Sequence, residues 1–181
     1  MKNSYKELEL NSTSIFNGKC IDVKTYNVKL SDGQESYREI VHHPGGVVVV
    51  AQKTLDTILM VKQYRFAIKQ ESIELPAGRL EKGESPDSAI KRELEEETGF
   101  RAKYWKSLGF IYSSPGIFDE KLYLYYANDL EFLNPHPDDG EIIDYFEYNT
   151  DEVLNMIDEG LINDSKTICG IYRAIRNGFL K

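Results

Sequence analysis

One short segment, GRLEKGESPDSAIKRELEEETGF (78–100), constrains this chain most, because it predicts a helix crowded with acidic side chains. Ser85 is a favourable N-cap, Pro86 suits the first helical position, and Gly99 suits the position just past the end. Four of the five residues at 93–97 are glutamates. Like charges three or four residues apart destabilise a helix by roughly 0.2–0.5 kcal/mol per pair. Either a partner offsets this repulsion, or the helix presents a solvated acidic face.

The helical wheel separates these carboxylates into two groups. At roughly 100° per residue, with Ile90 at zero, Leu94 falls at about +40° and marks the apolar face. Glu97 falls at about −20° and Glu93 at about −60°, inside the arc where a purely structural helix carries Leu or Val. Glu96, at about −120°, borders the same arc.

Two interpretations follow. A solvated acidic face is the default for a run of charges, and it accounts for Glu95, which lies on the other side of the helix. It does not account for Glu93 and Glu97, because unpaired buried carboxylates are costly whereas metal-bound ones are tolerated. Glu93, Glu96 and Glu97 are spaced i, i+3 and i+4, and hard divalent cations such as Mg²⁺ prefer oxygen ligands of this kind. The geometry therefore favours metal binding over a solvated face.

The loop before the helix strengthens the metal interpretation. Gly78 and Gly83 allow close approach of the backbone, so a carbonyl oxygen of this loop can serve as a further ligand. Arg92 lies within the acidic cluster, where it can hold a carboxylate through two hydrogen bonds.

Composition narrows the class of protein. The chain has 181 residues, of which 41% are hydrophobic and 29% charged, and its net charge is −8. These values predict one large folded domain or a compact domain with a small extension. The negative charge argues against nucleic acid or an anionic membrane as the main partner, since both attract a basic surface. The two cysteines, Cys20 and Cys169, do not have the spacing of metal ligands. The N-terminus lacks the apolar segment of a signal peptide. Both features predict a cytoplasmic location.

Along the chain, strands and helices are mixed without regular βαβ alternation, which predicts an α+β fold or a helix-flanked mixed sheet. Asp32-Gly33, between two extended segments, predicts a hairpin. Further strands are predicted at 47–50, 57–65, 72–75, 106–112, 121–129 and 141–148, and further helices at 151–159 and 164–176.

The acidic segment resembles the Nudix box, whose fixed positions are filled by Gly78, Glu84, Arg92-Glu93-Leu94, Glu96-Glu97 and Gly99-Phe100. Outside the box, four segments are similar to the ADP-ribose pyrophosphatase branch of that family: VKQYR (61–65), ELPAG (74–78), SSPG (113–116) and DDGEIIDYFEY (138–148). The resemblance extends over residues 14–178.

This resemblance implies an α/β/α sandwich, the Nudix fold, in which a mixed β-sheet lies between helices, with an N-terminal antiparallel sheet as an extension. We expect residues 1–40 to form that extension and to mediate a homodimer. We expect residues 41–181 to form the Nudix hydrolase domain.

The resemblance also implies hydrolysis of the pyrophosphate bond of ADP-ribose to AMP and ribose 5-phosphate, with Mg²⁺ as cofactor and Mn²⁺ as the alternative. Cations held by the site would neutralise the substrate and lower the pKa of the attacking water. The implied metal ligands are the Ala77 carbonyl, Glu93 and Glu97, with Glu96 as a third carboxylate or close support. Arg92 would orient the glutamates, and Glu84 would stabilise the loop.

For the catalytic base, the resemblance implies one residue but leaves competing candidates. Glu141 resembles the loop glutamate that positions or deprotonates water in this branch. Three other loop carboxylates compete with it for that role: Asp138, Asp139 and Glu120.

Four residues are implied at the substrate. Arg65 resembles an arginine that binds a phosphate, although it can also be an exposed arginine at the end of a strand. Glu74 would bind the ribose or pair with Arg79. Arg38 would contact the substrate or a partner subunit, and Gly116 of SSPG would lie against the substrate.

Two other functions remain open. The box handles only the pyrophosphate, so another nucleoside diphosphate sugar such as GDP-mannose is the alternative substrate, although SSPG favours ADP-ribose. A non-catalytic nucleotide-binding module is the remote alternative, because such modules normally carry a damaged box and this box is intact.

Overall fold

The computed structural model describes residues 5–133 and 142–181. Within these residues the chain forms strands and helices in this order: β1 (Leu8–Asn17), β2 (Asp22–Lys29), β3 (Glu35–His42), β4 (Gly46–Ala51), β5 (Thr57–Arg65), β6 (Gln70–Glu74), β7 (Ala77–Arg79), α1 (Pro86–Thr98), β8 (Phe100–Tyr112), β9 (Lys121–Phe132), β10 (Ile143–Asn149), α2 (Thr150–Asp158) and α3 (Ser165–Arg176). No helix in those two ranges has both the length and the apolar character needed to cross a bilayer.

The first of two compact units contains the described residues up to Gly45 together with Tyr112–Lys121. Its strands β1, β2 and β3 form an antiparallel sheet in that order. The hairpin predicted at Asp32-Gly33 is confirmed as the turn between β2 and β3, where Gly33 has a φ of 90°. The segment 112–121 belongs to this unit because Val41 N–H donates to Ile117 O, at 2.8 Å, within it.

The second unit contains Gly46–Ile111 and Leu122–Lys181. Its mixed sheet has the strand order β7-β4-β9-β8, with β4 parallel to β9 and antiparallel to β7. A second sheet of this unit, β10-β5-β6, is antiparallel.

Strand β4 separates two hydrophobic cores of the second unit. Its side chains alternate, so Val48 and Val50 pack in the core that α2 and α3 cover, whereas Val47 and Val49 pack in the core that α1 covers. All six residues of β4 are buried, as expected of a central strand with both faces covered. The mixed sheet thus lies between helices, and the predicted α+β sandwich is confirmed.

Several element boundaries differ from those predicted, and two of these differences have a clear structural reason. The strand expected at 106–112 begins at Phe100, directly after the helix, because Phe100 and Ala102 are buried in the core under α1. Residues 77–79, expected in a loop, form β7, because Ala77 and Gly78 pair with Val48 and Val47 of β4.

Candidate active site

The acidic helix α1 begins and ends as its sequence predicts. Ser85 Oγ accepts a hydrogen bond from Ser88 N–H at 3.2 Å, which caps the first turn. Gly99 has a φ of 71°, a left-handed conformation that glycine adopts without strain, and its N–H donates to Glu95 O at 2.9 Å. Both predicted caps are confirmed.

Glu97 faces the interior, as the wheel predicts. It is only 6% exposed, although it is a carboxylate. Its Oε2 accepts a hydrogen bond from the Ala77 N–H of β7 at 3.0 Å. The carboxylate is therefore held against the short strand whose Ala77 carbonyl is a predicted metal ligand.

Glu93 lies against the neighbouring residue of the same strand. A Cβ atom added at Gly78 would fall 1.8 Å from the Glu93 Cδ and 2.0 Å from its Oε1, so only glycine leaves room for this carboxylate. The Glu93 side chain is 13% exposed. Glu93 and Glu97 thus approach two successive residues of β7 from the same face of α1.

Arg92 explains how the helix tolerates its crowded glutamates. Its Nη1 donates to Glu93 Oε1 at 2.9 Å and to Glu96 Oε2 at 2.8 Å. Its Nε and Nη2 donate to the two oxygens of Glu84, at 3.1 and 2.9 Å. One guanidinium therefore pairs with carboxylates of both the helix and the preceding loop, which offsets part of their negative charge.

The electrostatic consequence is mutual. Hydrogen bonding to Glu84 raises the pKa of the Arg92 guanidinium above its already high ordinary value, and the charge of Glu93 adds to this. The same hydrogen bonds lower the pKa of the Glu84 carboxyl. Glu84 also accepts from Glu81 N–H at 3.2 Å, so it ties the loop at 80–85 to Arg92.

The metal ligands that the resemblance implies can be compared with this geometry. In residues 5–133 and 142–181, no group of three or more His, Cys, Asp or Glu side chains is already arranged to hold a metal ion. Arg92 and the Ala77 N–H hold the carboxylates instead. The donors nevertheless fit a hard divalent cation, because they are oxygens and because the space over Gly78 is reserved for Glu93.

A second charged cluster joins β5, β6 and α3. Glu74 is 2% exposed, and its Oε1 and Oε2 accept from Nε and Nη2 of Arg65 at 2.8 and 2.6 Å. Lys166 Nζ lies 2.5 Å from the same Oε2. Burial alone would raise the pKa of Glu74, but the hydrogen bonds and charges of Arg65 and Lys166 lower it to about 2.

Lys166 was not among the residues predicted for the site. It lies in the first turn of α3, where a cation opposes the helix dipole, and that unfavourable placement is the signal that would have identified it. Lys166 Nζ also lies 3.0 Å from Asp164 Oδ2, the N-cap carboxylate. Thr167 of the same turn accepts a hydrogen bond from Leu75 N–H at 2.9 Å, which fixes α3 to the segment after β6.

The remaining predicted residues belong to the first unit or fall outside the described residues. Glu141 and its competitors Asp138 and Asp139 fall outside the described residues. Within the first unit, Arg38 pairs with Glu7 at 2.6 Å and Glu120 lies 3.4 Å from His43 Nδ1. Gly116 also belongs to this unit, and a Cβ at its position would meet open space.

The mixed sheet lies between helices, and the glutamate helix packs against a short glycine-containing strand and the loop that follows it. The family model described as NUDIX domain matches residues 41–168, and the chain belongs to the Nudix family of hydrolases. Within that family it falls in the ADP-ribose pyrophosphatase branch. It is 38% identical to the protein named ADP-ribose pyrophosphatase of Bacillus subtilis (strain 168), over 93% of this chain and 92% of that protein.

Other comparisons widen this picture. The chain is 40% identical to the protein named Methanol dehydrogenase activator of Bacillus methanolicus, over 92% of this chain and 91% of that protein. It is 27% identical to the GDP-mannose pyrophosphatase of Yersinia pestis (strain Pestoides F), over 80% and 78% of the two chains. A solved ADP compounds hydrolase has the same fold, with a TM-score of 0.85 over 99% of this chain and 100% of that one, at 19% identity.

Proposed function

We propose that this protein hydrolyses the pyrophosphate bond of ADP-ribose to AMP and ribose 5-phosphate in a reaction that depends on Mg²⁺, with Mn²⁺ as the alternative. The observation that carries the proposal is the placement of Glu93 and Glu97 against Gly78 and Ala77, with Arg92 beside them. Kinship with the Bacillus subtilis protein supports ADP-ribose as the substrate.

In this proposal the metal ligands are Glu93, Glu97 and the Ala77 carbonyl, with Glu96 as a third carboxylate. A divalent cation bound there supplies charge neutralisation of the diphosphate and activation of a water molecule. Arg92 keeps the glutamates in place, because it already contacts Glu93 and Glu96.

The reaction divides one anhydride into two monoesters. The oxygen of water forms a bond to one phosphorus, the bond from that phosphorus to the bridging oxygen breaks, and the bridging oxygen leaves on the other phosphate. We assign the proton of the attacking water to Glu141, as the base implied by the family resemblance.

At the substrate, Arg65 is proposed to bind a phosphate. Both oxygens of Glu74 accept from cations and the residue is almost fully buried, which favours a role in holding Arg65 over direct contact with the ribose. Arg38 and Gly116 are proposed to contact the substrate from the N-terminal sheet and from the SSPG segment, as the resemblance implies.

We also propose that the protein is a cytoplasmic homodimer in which residues 1–40 form the dimerisation segment. Large apolar side chains on β1 remain exposed within the first unit, among them Ile15 at 62% and Phe16 at 54%. Size-exclusion chromatography with light scattering checks this; a monomeric mass at micromolar concentration contradicts it.

The substrate assignment is tested with a panel of nucleoside diphosphate compounds. Release of AMP, GMP and sugar phosphates from ADP-ribose, GDP-mannose and other nucleoside diphosphate sugars is measured with Mg²⁺ and with EDTA, for the wild type and Glu97→Gln. We expect fastest turnover of ADP-ribose, with loss of activity in EDTA and in the variant. Faster turnover of GDP-mannose would support the alternative substrate, and hydrolysis of none of the panel would support a non-catalytic binding module.

Activation of a partner dehydrogenase is a second candidate function, favoured by the 40% identity to the Bacillus methanolicus activator. The test adds this protein to a purified methanol dehydrogenase and follows its rate of methanol oxidation. A rate increase that Glu97→Gln abolishes would join this function to the hydrolytic site, whereas an unchanged rate would exclude it for that enzyme.

A further inference from the structure

Lys166 shares a buried carboxylate with the proposed phosphate-binding arginine. The Glu74 side chain is 3% exposed, and its Oε2 lies 2.6 Å from Arg65 Nη2 and 2.5 Å from Lys166 Nζ. The Lys166 side chain is itself only 14% exposed, so its ammonium is directed at Glu74 and Asp164 rather than at solvent. Lys166 therefore acts on the carboxylate that it shares with Arg65, not as a free cation at the surface.

Arg65 has one edge that Glu74 does not occupy. Its Nε and Nη2 both bind Glu74, and among the described parts of the chain its Nη1 makes no hydrogen bond. The Arg65 side chain is 40% exposed, so Glu74 does not close it off from solvent. Hydrogen bonding to Glu74 is the main reason that the pKa of Arg65 is raised, and the charge of Glu97 adds a smaller contribution, so the guanidinium lies within electrostatic reach of a proposed metal ligand.

The charges of this cluster balance only when Lys166 is included. Arg65 and Lys166 contribute two positive charges, and Glu74 and Asp164 contribute two negative ones. Without Lys166 the group carries a net charge of −1 beside the surface that must accept a diphosphate. An excess negative charge there repels an anionic ligand, and the effect is strong because the carboxylate is buried.

We infer that Lys166 is a positioning residue for the diphosphate: by neutralising Glu74 together with Arg65, it fixes the Arg65 guanidinium and keeps its Nη1 edge attractive to a phosphate. The inference rests on the proposed function for the identity of the ligand as a diphosphate. The anchor of Lys166 is rigid, because Asp164 caps α3 through Thr167 N–H at 3.0 Å and Thr167 binds Leu75 N–H.

The test compares Lys166→Met, Lys166→Arg and a matched control, Lys62→Met. Lys62 pairs with the exposed Glu71 on strands β5 and β6, so its substitution removes the same charge from a solvated pair. Affinity for ADP-ribose and for inorganic pyrophosphate is measured by calorimetry in EDTA, and KM and kcat on ADP-ribose are measured with Mg²⁺. Melting temperatures are recorded for every variant.

We expect Lys166→Met to weaken affinity and raise KM about tenfold while kcat changes less than about twofold, because the ground-state phosphate contact is what it loses. Lys166→Arg should return to within about threefold of the wild type, since it keeps the charge, and Lys62→Met should match the wild type. Unchanged affinity and KM in Lys166→Met, or a fall in kcat alone, would overturn the inference.

A double-mutant cycle separates action through Glu74 from a general loss of packing. In a Glu74→Gln background, Lys166→Met should weaken affinity less than about twofold further, because the shared carboxylate is already gone. An independent tenfold loss in that background would contradict the inference. Where Lys166→Met does not fold, Lys166→Gln replaces it, since the amide retains a hydrogen bond to Glu74.

The outcomes for the two proposals are distinguishable. A wild type that binds ADP-ribose but does not hydrolyse it contradicts the proposed function, while the affinity comparison still decides the role of Lys166. A wild type that binds neither ADP-ribose nor pyrophosphate overturns the role of Lys166 as well, because Arg65 then holds no diphosphate.

Discussion

The Glu93 carboxylate occupies the space that the first side-chain atom of any other residue at Gly78 would need, with 1.8 Å between that atom and Glu93 Cδ. Glycine is thus required at position 78 because of a side chain 15 residues further along the chain. It is a requirement for close approach, and it does not depend on an unusual backbone conformation, because Gly78 is not among the glycines with positive φ.

Gly78→Ala tests this relationship. The methyl group would displace the Glu93 carboxylate from β7, and a misplacement of about 1 Å at a reacting centre can cost about 100-fold in rate. We expect kcat on ADP-ribose to fall by about that factor while the protein stays folded. Gly160→Ala is the control: Gly160 has a φ of 75° and open space around it, so its substitution should cost about 1 kcal/mol of stability and no activity. Equal activity of both variants would contradict the role of Gly78.

Glu97→Gln separates charge from hydrogen bonding. The amide oxygen can still accept from Ala77 N–H, but the negative charge that attracts a cation is lost. We expect kcat to fall at least about 100-fold. Mg²⁺ at 100 times its Kd should stabilise the folded wild type by about 3 kcal/mol and so raise its melting temperature. In Glu97→Gln this rise in melting temperature should disappear. Glu95→Gln, whose partner Arg101 is exposed, should keep both properties. An Mg²⁺-dependent stabilisation of Glu97→Gln equal to that of the wild type would exclude Glu97 as a ligand.

Arg92→Lys tests whether the forked guanidinium is required. Lysine cannot bridge Glu84, Glu93 and Glu96 at once, because it presents a point charge instead of a planar fork. Allowing for partial exposure, we expect a loss of about 1–2 kcal/mol in the free energy of unfolding, together with reduced activity. Arg101→Lys, at an exposed pair with Glu95, should leave urea unfolding unchanged. If both variants unfold at the same urea concentration as the wild type, Arg92 does not organise the glutamates.

Stability should depend on pH through Glu74. Its folded-state pKa of about 2 lies below the ordinary 4.5, so its contribution is complete above about pH 4.5 and is lost as the pH falls toward 2. The full difference is worth roughly 3 kcal/mol. When the pH falls from about 4.5 to 3, the free energy of unfolding, measured with urea, should decrease in both proteins. The decrease should be roughly 2 kcal/mol smaller in Glu74→Gln than in the wild type. Glu71→Gln, at an exposed pair with Lys62, is the control; parallel pH curves for all three proteins would contradict this prediction.

Local features of the site could be predicted from the sequence because they depend on spacing alone. The caps at Ser85 and Gly99 and the inward direction of Glu97 follow from helical periodicity and from the conformational preferences of single residues. The family and the sandwich fold followed from the fixed positions of the acidic segment, which is also local.

Features that depend on distant partners could not be predicted. Strand β7 has no β-branched residue and is a strand only because β4 pairs with it. Glu74 was expected to bind ribose or to pair with Arg79, whereas its cation partners are Arg65 and Lys166, the latter 92 positions further along the chain. No periodicity within either segment carries that information.

The anchoring of α3 affects how this protein can be shortened. The family match ends at residue 168, four residues into α3 (Ser165–Arg176), so it retains Lys166 and Thr167 but omits Ile171 and Ala174, which are fully buried. A single helical turn without its packing surface does not persist in water. A protein truncated at residue 168 would therefore lose the packing that holds Lys166 and Thr167 next to Glu74. The folded unit that carries the site thus extends beyond the segment that the family model matches.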